Sequence, residues 1–215
     1  ALKSSTQAEA SVDKLRQNLS FVSGCDYLET NKFIENAYKE GANYNEEDFK
    51  PSDFFANIPK EQLKNTIINR RSIRAFRTLE MEKEEFFTIV EGLFLFAVQH
   101  NIDIFYTTHL VNGVQKGLYK NGELLQEGDF RSKSRYLALE QNLGGQSGVT
   151  FYFTSNDVEK YQKVNILSGF LAHIIYLKSE LLGIGCSGIG AYYDDECKEF
   201  LQTKNNILYL LAIGR

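Results

Sequence analysis

Residues 164 to 190 read VNILSGFLAHIIYLKSELLGIGCSGIG, and this segment says most about the architecture of the chain. Its first part, Val164 to Leu182, is apolar over enough residues to form the central helix of a domain. His173, Lys178 and Glu180 interrupt this part, and a bilayer accepts such ionisable groups only at a high energetic cost. We therefore expect a buried helix rather than a membrane span.

Four glycines follow this helix within eight residues, from Gly183 to Gly190. Glycine has no Cβ, so such a segment lets the backbone approach a flat ligand closely. A helix C-cap followed by tight packing explains the same glycines equally well. The segment is not a dinucleotide-binding fingerprint, because it follows a helix and lacks the required glycine spacing.

The regions around this segment combine long helices with a few strands. Further helices are predicted over residues 60–69, 81–100 and 129–142 and from Asp194 onward, the glycines of 144–148 ending the third of these. Strands are predicted over residues 102–109, 149–154 and 207–213, with a hairpin over 117–125 that turns at Asn121-Gly122. Because this order is not a regular βαβ alternation, the sequence predicts an α+β fold around one sheet.

The N-terminal part differs from the rest of the chain. Residues 1–58 are predicted to be a helical extension, with helices from Ser11 and over Glu29 to Glu40, and residues 59–215 to be the main domain. The first ten residues carry no apolar signal segment, so we expect a cytoplasmic location.

Composition excludes several classes of function. The chain has 24 basic and 28 acidic residues, which gives no electrostatic reason to expect a nucleic-acid partner. Its three cysteines, Cys25, Cys186 and Cys197, are odd in number and not closely paired, which argues against a disulfide framework. Without a Cys-x-x-Cys motif or clustered histidines, we expect no metal site.

One basic cluster stands out in this acidic chain: Arg70-Arg71-Ser72-Ile73-Arg74. Guanidinium groups match phosphate oxygens with paired hydrogen bonds, and the serine adds a hydroxyl donor. In an extended segment alternate residues face one side, so Arg70, Ser72 and Arg74 can converge on one anion. The alternative is a solvated basic turn after a helix, and charge alone favours that alternative.

Together these motifs resemble a known family. The cluster Arg70 to Arg74 is similar to the Arg-[Arg/His]-Ser-x-[Arg/Lys] signature of FMN-dependent nitroreductases. The C-terminal pattern resembles that superfamily as well, over Leu181 to Gly190, Asp194-Asp195 and Leu208 to Arg215. The middle of the chain is similar to the SagB-type branch in three motifs: Gly117-Leu118-Tyr119, Gly128 to Arg131 and Leu137 to Gln141. The resemblance covers roughly residues 60 to 215.

The resemblance implies an α+β nitroreductase-like fold, with a central, mostly antiparallel sheet flanked by helices. It further implies an intertwined homodimer that binds FMN noncovalently at its interface. Arg70, Ser72 and Arg74 match the positions that hold the FMN phosphate and pyrimidine edge, and Arg71 matches a further FMN contact. The other cofactor-binding positions are Gly190 and Ala191, whose backbone matches the part facing flavin N5 and O4, the preceding Ile189, and Arg215, which could add a phosphate contact.

The implied activity is an oxidoreductase reaction that passes hydride between NADH, NADPH or another donor and a small organic acceptor. Lys160-Tyr161 resembles a pair in azoline dehydrogenases of the SagB branch, where proton transfer is its proposed role. An ordinary helix surface is the alternative interpretation of this pair, because Lys and Tyr are common neighbours.

One departure from the family pattern keeps other functions open. The proline-serine segment that usually follows the long helix is missing between Phe96 and Gly117. A non-catalytic flavin-fold module of a larger or tandem protein is therefore a second hypothesis. A purely structural α+β domain with solvated arginines is a third.

Overall fold

The computed structural model describes residues 54–157 and 160–215, together with Lys32, Glu35, Asn36 and Lys39. The chain divides into two compact units, residues 1–44 and residues 45–215. The four isolated residues are helical, and the other residues of the helices predicted before residue 50 lie outside the described residues. The boundary expected at residues 58 and 59 stays a prediction.

The described residues of the second unit form seven helices and eight strands. In chain order they are α1 Lys60–Asn69, β1 Met81–Glu82, α2 Lys83–Val90, α3 Leu93–Gln99, β2 Asp103–Thr108, β3 Val111–Asn112, β4 Gly117–Lys120, β5 Glu123–Glu127, α4 Arg131–Leu137, α5 Asn142–Gln146, β6 Val149–Ser155, α6 Tyr161–Leu181, β7 Gly185–Ile189, α7 Asp194–Phe200 and β8 Asn206–Gly214.

Six strands form the main sheet, in the order β5-β4-β2-β6-β8-β7. All five neighbouring pairs in it are antiparallel. The two-residue strands β1 and β3 form a separate parallel pair. The predicted α+β class with a mostly antiparallel sheet is therefore confirmed.

Apolar side chains cover both faces of this sheet. On one face Ile104, Phe151 and Leu211 pack in a buried cluster with residues of α2, α3 and α6. On the other face Tyr152 and Leu210 pack in a second cluster with residues of α4 and α7. Strands buried on both faces need apolar residues at successive positions, which explains the apolar run predicted to be the last strand.

The helix predicted over residues 81–100 is wrong as a single element. The chain first forms β1, then α2, and breaks at Glu91 and Gly92 before α3 begins. Gly92 has a φ of 77°, a left-handed conformation that glycine adopts without steric cost. The Lys178 ammonium group donates to the carbonyl oxygens of Thr88 and Glu91, both at 3.1 Å, and so satisfies the end of α2. Because α2 and α3 both bury apolar residues in one cluster, their periodicity does not reveal the break.

The helix predicted over residues 129–142 is shorter than predicted, because α4 covers only Arg131–Leu137. Leu139 and Glu140 adopt φ angles of 53° and 58°, so the chain turns between α4 and α5. Gly144 lies inside α5 instead of ending a helix. A Cβ at Gly144 would collide with the carbonyl oxygen of Ser134, which shows that this glycine serves the close approach of α5 to α4.

Other local predictions are confirmed. Helix α1 has the predicted bounds, and the hairpin joins β4 to β5 through Asn121 and Gly122. Both turn residues have positive φ angles, 49° and 97°, as a type I′ turn requires. The Asn121 side chain also accepts the Ile104 N–H at 2.8 Å, which ties the turn to β2.

A buried polar network lies beneath α4 and α5. His109 is fully buried; its Nδ1 lies 3.3 Å from the carbonyl oxygen of Ser147, and its Nε2 lies 3.3 Å from Ser134 Oγ. The Tyr152 hydroxyl donates to the same Ser134 oxygen at 3.0 Å. The pKa of His109 is lowered to about 4, mainly by burial. His109 is therefore neutral in the folded chain at neutral pH.

This pKa shift predicts how stability depends on pH. The unfolded chain binds a proton at His109 near pH 6.5, whereas the folded chain binds it only near pH 4. The contribution of His109 is present in full above pH 6.5 and is lost as the pH falls toward 4, by about 3 kcal/mol in total. Urea denaturation from pH 7.5 to 4.5 measures this loss. His109→Asn should show a shallower pH dependence, and an unchanged slope would contradict the assignment.

The packing of α5 on α4 predicts opposite results for two glycine substitutions. Gly144→Ala should destabilise the fold by about 1–3 kcal/mol, because a methyl group cannot fit against the Ser134 carbonyl. Gly169→Ala in α6 is the matched control, since a Cβ there meets no atom within 4 Å. The control should be neutral or stabilising by up to about 1 kcal/mol. Urea denaturation compares the two variants, and equal effects would rule out the packing explanation.

Candidate functional site

The basic cluster lies along the outer edge of the main sheet. Arg70 is the C-cap of α1, and its backbone N–H donates to the carbonyl of Thr66. Ser72 then forms a parallel bridge with Cys186 of β7. The Ile73 N–H donates to the Cys186 carbonyl at 3.1 Å. This pairing holds the segment extended next to β7.

One side chain of α6 connects this cluster to the glycine segment. The Tyr176 hydroxyl lies 2.8 Å from Ser72 Oγ and accepts the Gly188 N–H at 2.6 Å. The Arg70 guanidinium lies over the Tyr176 ring, 5.0 Å from its centre. Sequence reasoning missed Tyr176. The one signal for it is a polar hydroxyl in an otherwise aliphatic run, Ile174 to Leu177.

The three arginines of the cluster have different surroundings. The Arg71 guanidinium donates to the carbonyls of Ile68 and Arg70, at 2.7 and 2.8 Å, and so folds back on the end of α1. Among the described residues, Arg70 makes only the ring contact through its side chain, and the exposed Arg74 has no side-chain partner. Arg70, Ser72 and Arg74 therefore keep donors that can reach an anion.

Arg215 is engaged elsewhere in the structure. It follows β8, and its guanidinium forms an ion pair with Glu85 of α2. The other carboxylate oxygen of Glu85 accepts the Glu82 N–H at 2.9 Å, which closes the capping box of α2. Arg215 thus helps to hold the start of a helix, and its role as a phosphate contact stays a prediction.

The glycines of residues 183–190 serve different purposes. Some fit a helix C-cap and tight packing, and others fit close approach to a flat ligand. A Cβ at Gly188 would collide with the Tyr209 hydroxyl, so this position of β7 requires tight packing. Gly183 has a φ of 65° just after α6, as expected of a C-cap glycine. By contrast, Gly190 is exposed, and a Cβ there would meet no atom within 4 Å. Gly190 and the exposed Ala191 therefore leave room for a flat ligand.

On either side of Gly190, only some atoms of Ile189 and Ala191 are available to contact a ligand. The Ile189 side chain is buried in the core, so only its backbone is available. The Ala191 carbonyl accepts a hydrogen bond from Gln141 Nε2 at 3.4 Å, which leaves its N–H as the available group. These backbone positions stay predictions for a cofactor contact.

Lys160 and Tyr161 lie at the start of α6. Lys160 is the N-cap residue, and Tyr161 is 52% exposed. The predicted role of the pair in proton transfer is a proposal.

A further titratable group lies next to Arg70. His173 precedes Tyr176 by three residues on α6, so the two side chains share one face of that helix. Two effects lower the pKa of His173: its burial, which is the larger, and the positive charge of Arg70. His173 therefore adds little positive charge to the cluster at neutral pH.

A cavity of about 610 Å³ lies in another part of the second unit. It is lined by residues 54–58, by the ends of α2 and α6, and by the buried Lys178. None of the residues predicted to bind a cofactor lines it. The cavity therefore does not coincide with the predicted cofactor site.

No group of three or more His, Cys, Asp or Glu side chains among the described residues could hold a metal ion. No helix among them is both long and apolar enough to span a membrane.

Comparison with known proteins gives three main findings. A model of the nitroreductase family matches residues 67–215. A Methanocaldococcus jannaschii protein named as a candidate nitroreductase is 23% identical over 185 residues, which cover 74% of this chain and 93% of that protein. The solved structure of a candidate nitroreductase from Anabaena variabilis superposes with a TM-score of 0.63 at 22% identity. That match covers 71% of this chain but only 38% of the Anabaena chain.

A second solved structure has a more informative name. The NADPH:FMN oxidoreductase from Vibrio harveyi, in complex with NAD+, matches with a TM-score of 0.54 at 17% identity. The match covers 72% of this chain and 68% of that chain. At these identities the two structures establish similarity of fold, in agreement with the predicted nitroreductase-like architecture.

Proposed function

The chain belongs to the nitroreductase family, and we propose on this basis that it is an FMN-dependent oxidoreductase. In this proposal it passes hydride from NADH, NADPH or another donor to a small organic acceptor. Bound FMN would supply the hydride chemistry, while the protein binds the cofactor and orients it. The observation that carries the proposal is the set of available donors on Arg70, Ser72 and Arg74 beside β7.

These residues fit the phosphate end of FMN. Arginine presents a planar fork of N–H donors that matches phosphate oxygens, and the serine hydroxyl adds another donor. No carboxylate is paired with Arg70 or Arg74 within the described residues, although acidic residues outnumber basic ones in the chain. A phosphate would supply the missing negative partner.

The backbone after β7 fits the ring end of the same cofactor. Cys186, which pairs with Ser72, precedes Gly190 by four residues, or about 13 Å of extended chain. We propose that the N–H groups of Gly190 and Ala191 face the ring, and that Ile189 contributes only through its backbone. The name of the Vibrio harveyi relative, an NADPH:FMN oxidoreductase, supports the choice of cofactor and electron donor.

The other predicted residues have smaller roles in the proposal. Arg71 and Arg215 would have to give up existing partners to reach a phosphate, so we expect each to contribute less than Arg70 or Arg74. Lys160 and Tyr161 are proposed to transfer protons to or from the acceptor, because both are exposed at the start of α6. An intertwined homodimer, a cytoplasmic location and membership of the SagB-type branch belong to the same proposal, which includes neither nucleic acid nor membrane as a partner.

Two alternative functions rest on specific sequence features. The absence of the proline-serine segment between Phe96 and Gly117 favours a non-catalytic flavin-fold module of a larger or tandem protein. The Lys160-Tyr161 pair favours an azoline-type dehydrogenase in peptide modification. Flavin-dependent turnover of NADH or NADPH separates the enzyme hypotheses from the module.

The first experiment is the visible absorption spectrum of the purified full chain, before and after incubation with FMN and removal of the excess. We expect a retained flavin spectrum and FMN-dependent oxidation of NADH or NADPH with a small organic acceptor. Retained flavin without turnover of any donor would favour the non-catalytic module. A chain that takes up no FMN would overturn the proposal.

Substitution of the two available arginines tests the phosphate site. Arg70→Ala and Arg74→Ala should each weaken FMN binding by about 1.5–3 kcal/mol, because each removes charge-assisted hydrogen bonds. Arg135→Ala is the matched control, since Arg135 on α4 pairs with Glu140. Titration with FMN, followed by flavin fluorescence, measures the affinities. Unchanged FMN affinity in both variants would contradict the assignment of the phosphate site to this cluster.

A further inference from the structure

We propose that Tyr176 is a positioning residue that turns Ser72 into an oriented hydrogen-bond donor for an oxyanion. The Gly188 N–H, the Tyr176 hydroxyl and the Ser72 hydroxyl form a relay of three donors that ends at the surface. The inference deepens the proposed function and rests on it in one respect: the oxyanion is taken to be the phosphate of FMN.

The direction of the relay follows from the donors available. An N–H can only donate, so the Tyr176 oxygen accepts from Gly188. The phenol has one hydrogen, and Ser72 Oγ lies within reach of it at 2.8 Å. Tyr176 is only 8% exposed. If Ser72 donated instead, the phenol hydrogen would have no acceptor among the described residues, and a buried donor without an acceptor is destabilising.

This direction determines what Ser72 can do. Its oxygen accepts the Tyr176 hydrogen, so the Ser72 hydrogen is left to donate to a ligand. Ser72 itself is exposed, whereas Tyr176 is buried and Gly188 is half-buried. Successive hydrogen bonds polarise one another, which strengthens the terminal donor. Together with two arginines, this donor favours a deprotonated oxygen of a phosphate over a neutral hydroxyl.

The ring of Tyr176 has a second effect on the same site. The Arg70 guanidinium lies over the ring face, 5.0 Å from its centre, which is a cation–π arrangement. The ring face takes the place of no hydrogen-bond acceptor, so the N–H groups of Arg70 stay available for an anion. Since Tyr176 lies within the long helix α6, it restrains both Arg70 and Ser72 relative to β7.

The test compares two flavins that share a ring but differ in the phosphate, namely FMN and riboflavin. Tyr176→Phe removes the hydroxyl and keeps the ring, and Ser72→Ala removes the end of the relay. Each variant should bind FMN about three- to tenfold more weakly than the unaltered chain, with unchanged affinity for riboflavin. The double variant should bind FMN no more weakly than Ser72→Ala alone, because Tyr176 is proposed to act through Ser72.

Tyr209→Phe is the matched control. Tyr209 is a neighbouring tyrosine on β8, and its hydroxyl has no hydrogen-bond partner among the described residues. The control should bind both flavins normally. Equal weakening of FMN and riboflavin by Tyr176→Phe, or additive losses in the double variant, would show a general structural effect and overturn the inference. If Tyr176→Phe does not fold, Ser72→Ala tests the end of the relay: loss confined to FMN is the expected result, and unchanged FMN affinity or loss of both flavins overturns the relay.

Inorganic phosphate separates this inference from the proposed function. If the unaltered chain binds neither flavin, the proposed function fails, and thermal unfolding with and without phosphate then tests the relay alone. Phosphate should raise the unfolding temperature of the unaltered chain more than that of Tyr176→Phe or Ser72→Ala. Equal shifts, or no shift in any of the proteins, would overturn the relay.

Discussion

Hydrogen bonding along the outer edge of β7 holds the candidate site together. An edge strand presents backbone N–H and carbonyl groups that need partners. Here the Cys186 carbonyl accepts the Ile73 N–H, and the Gly188 N–H donates to the Tyr176 hydroxyl. The same contacts that complete the sheet edge hold the basic cluster in place, so the stability of the fold and the geometry of the site rest on shared hydrogen bonds.

Helix α6 links this edge to the rest of the domain. Its Leu171 packs in the core, Lys178 satisfies the end of α2, and Tyr176 reaches the sheet edge. The helix is therefore apolar without being uniformly so, and its Lys178 and Tyr176 side chains each have defined hydrogen-bond partners. A single helix thus contacts both the end of α2, through Lys178, and the hydrogen-bond donors beside β7, through Tyr176.

The error in the helix predicted over residues 81–100 has a physical cause. Hydrophobic periodicity reports which side of a segment is buried, and it persists across a break when both pieces bury residues in the same layer. Gly92 was a local sign of the first break, since glycine adopts positive φ easily. Leu139 and Glu140 gave no such sign, because neither residue type favours the left-handed conformation that the packing of α5 on α4 imposes on them.

Local preferences and residue chemistry were enough to predict the α+β class, the bounds of α1, the Asn121-Gly122 turn and a cluster of arginines suited to an anion. Folding in three dimensions established the rest: Arg71 and Arg215 are engaged, Arg70 and Arg74 have no charged partner among the described residues, and Tyr176 joins Ser72 to Gly188. The difference lies in distance along the chain. Ser72 and Tyr176 are 104 residues apart, and a hydrogen bond of that kind arises from how helices and strands pack, which no local pattern records.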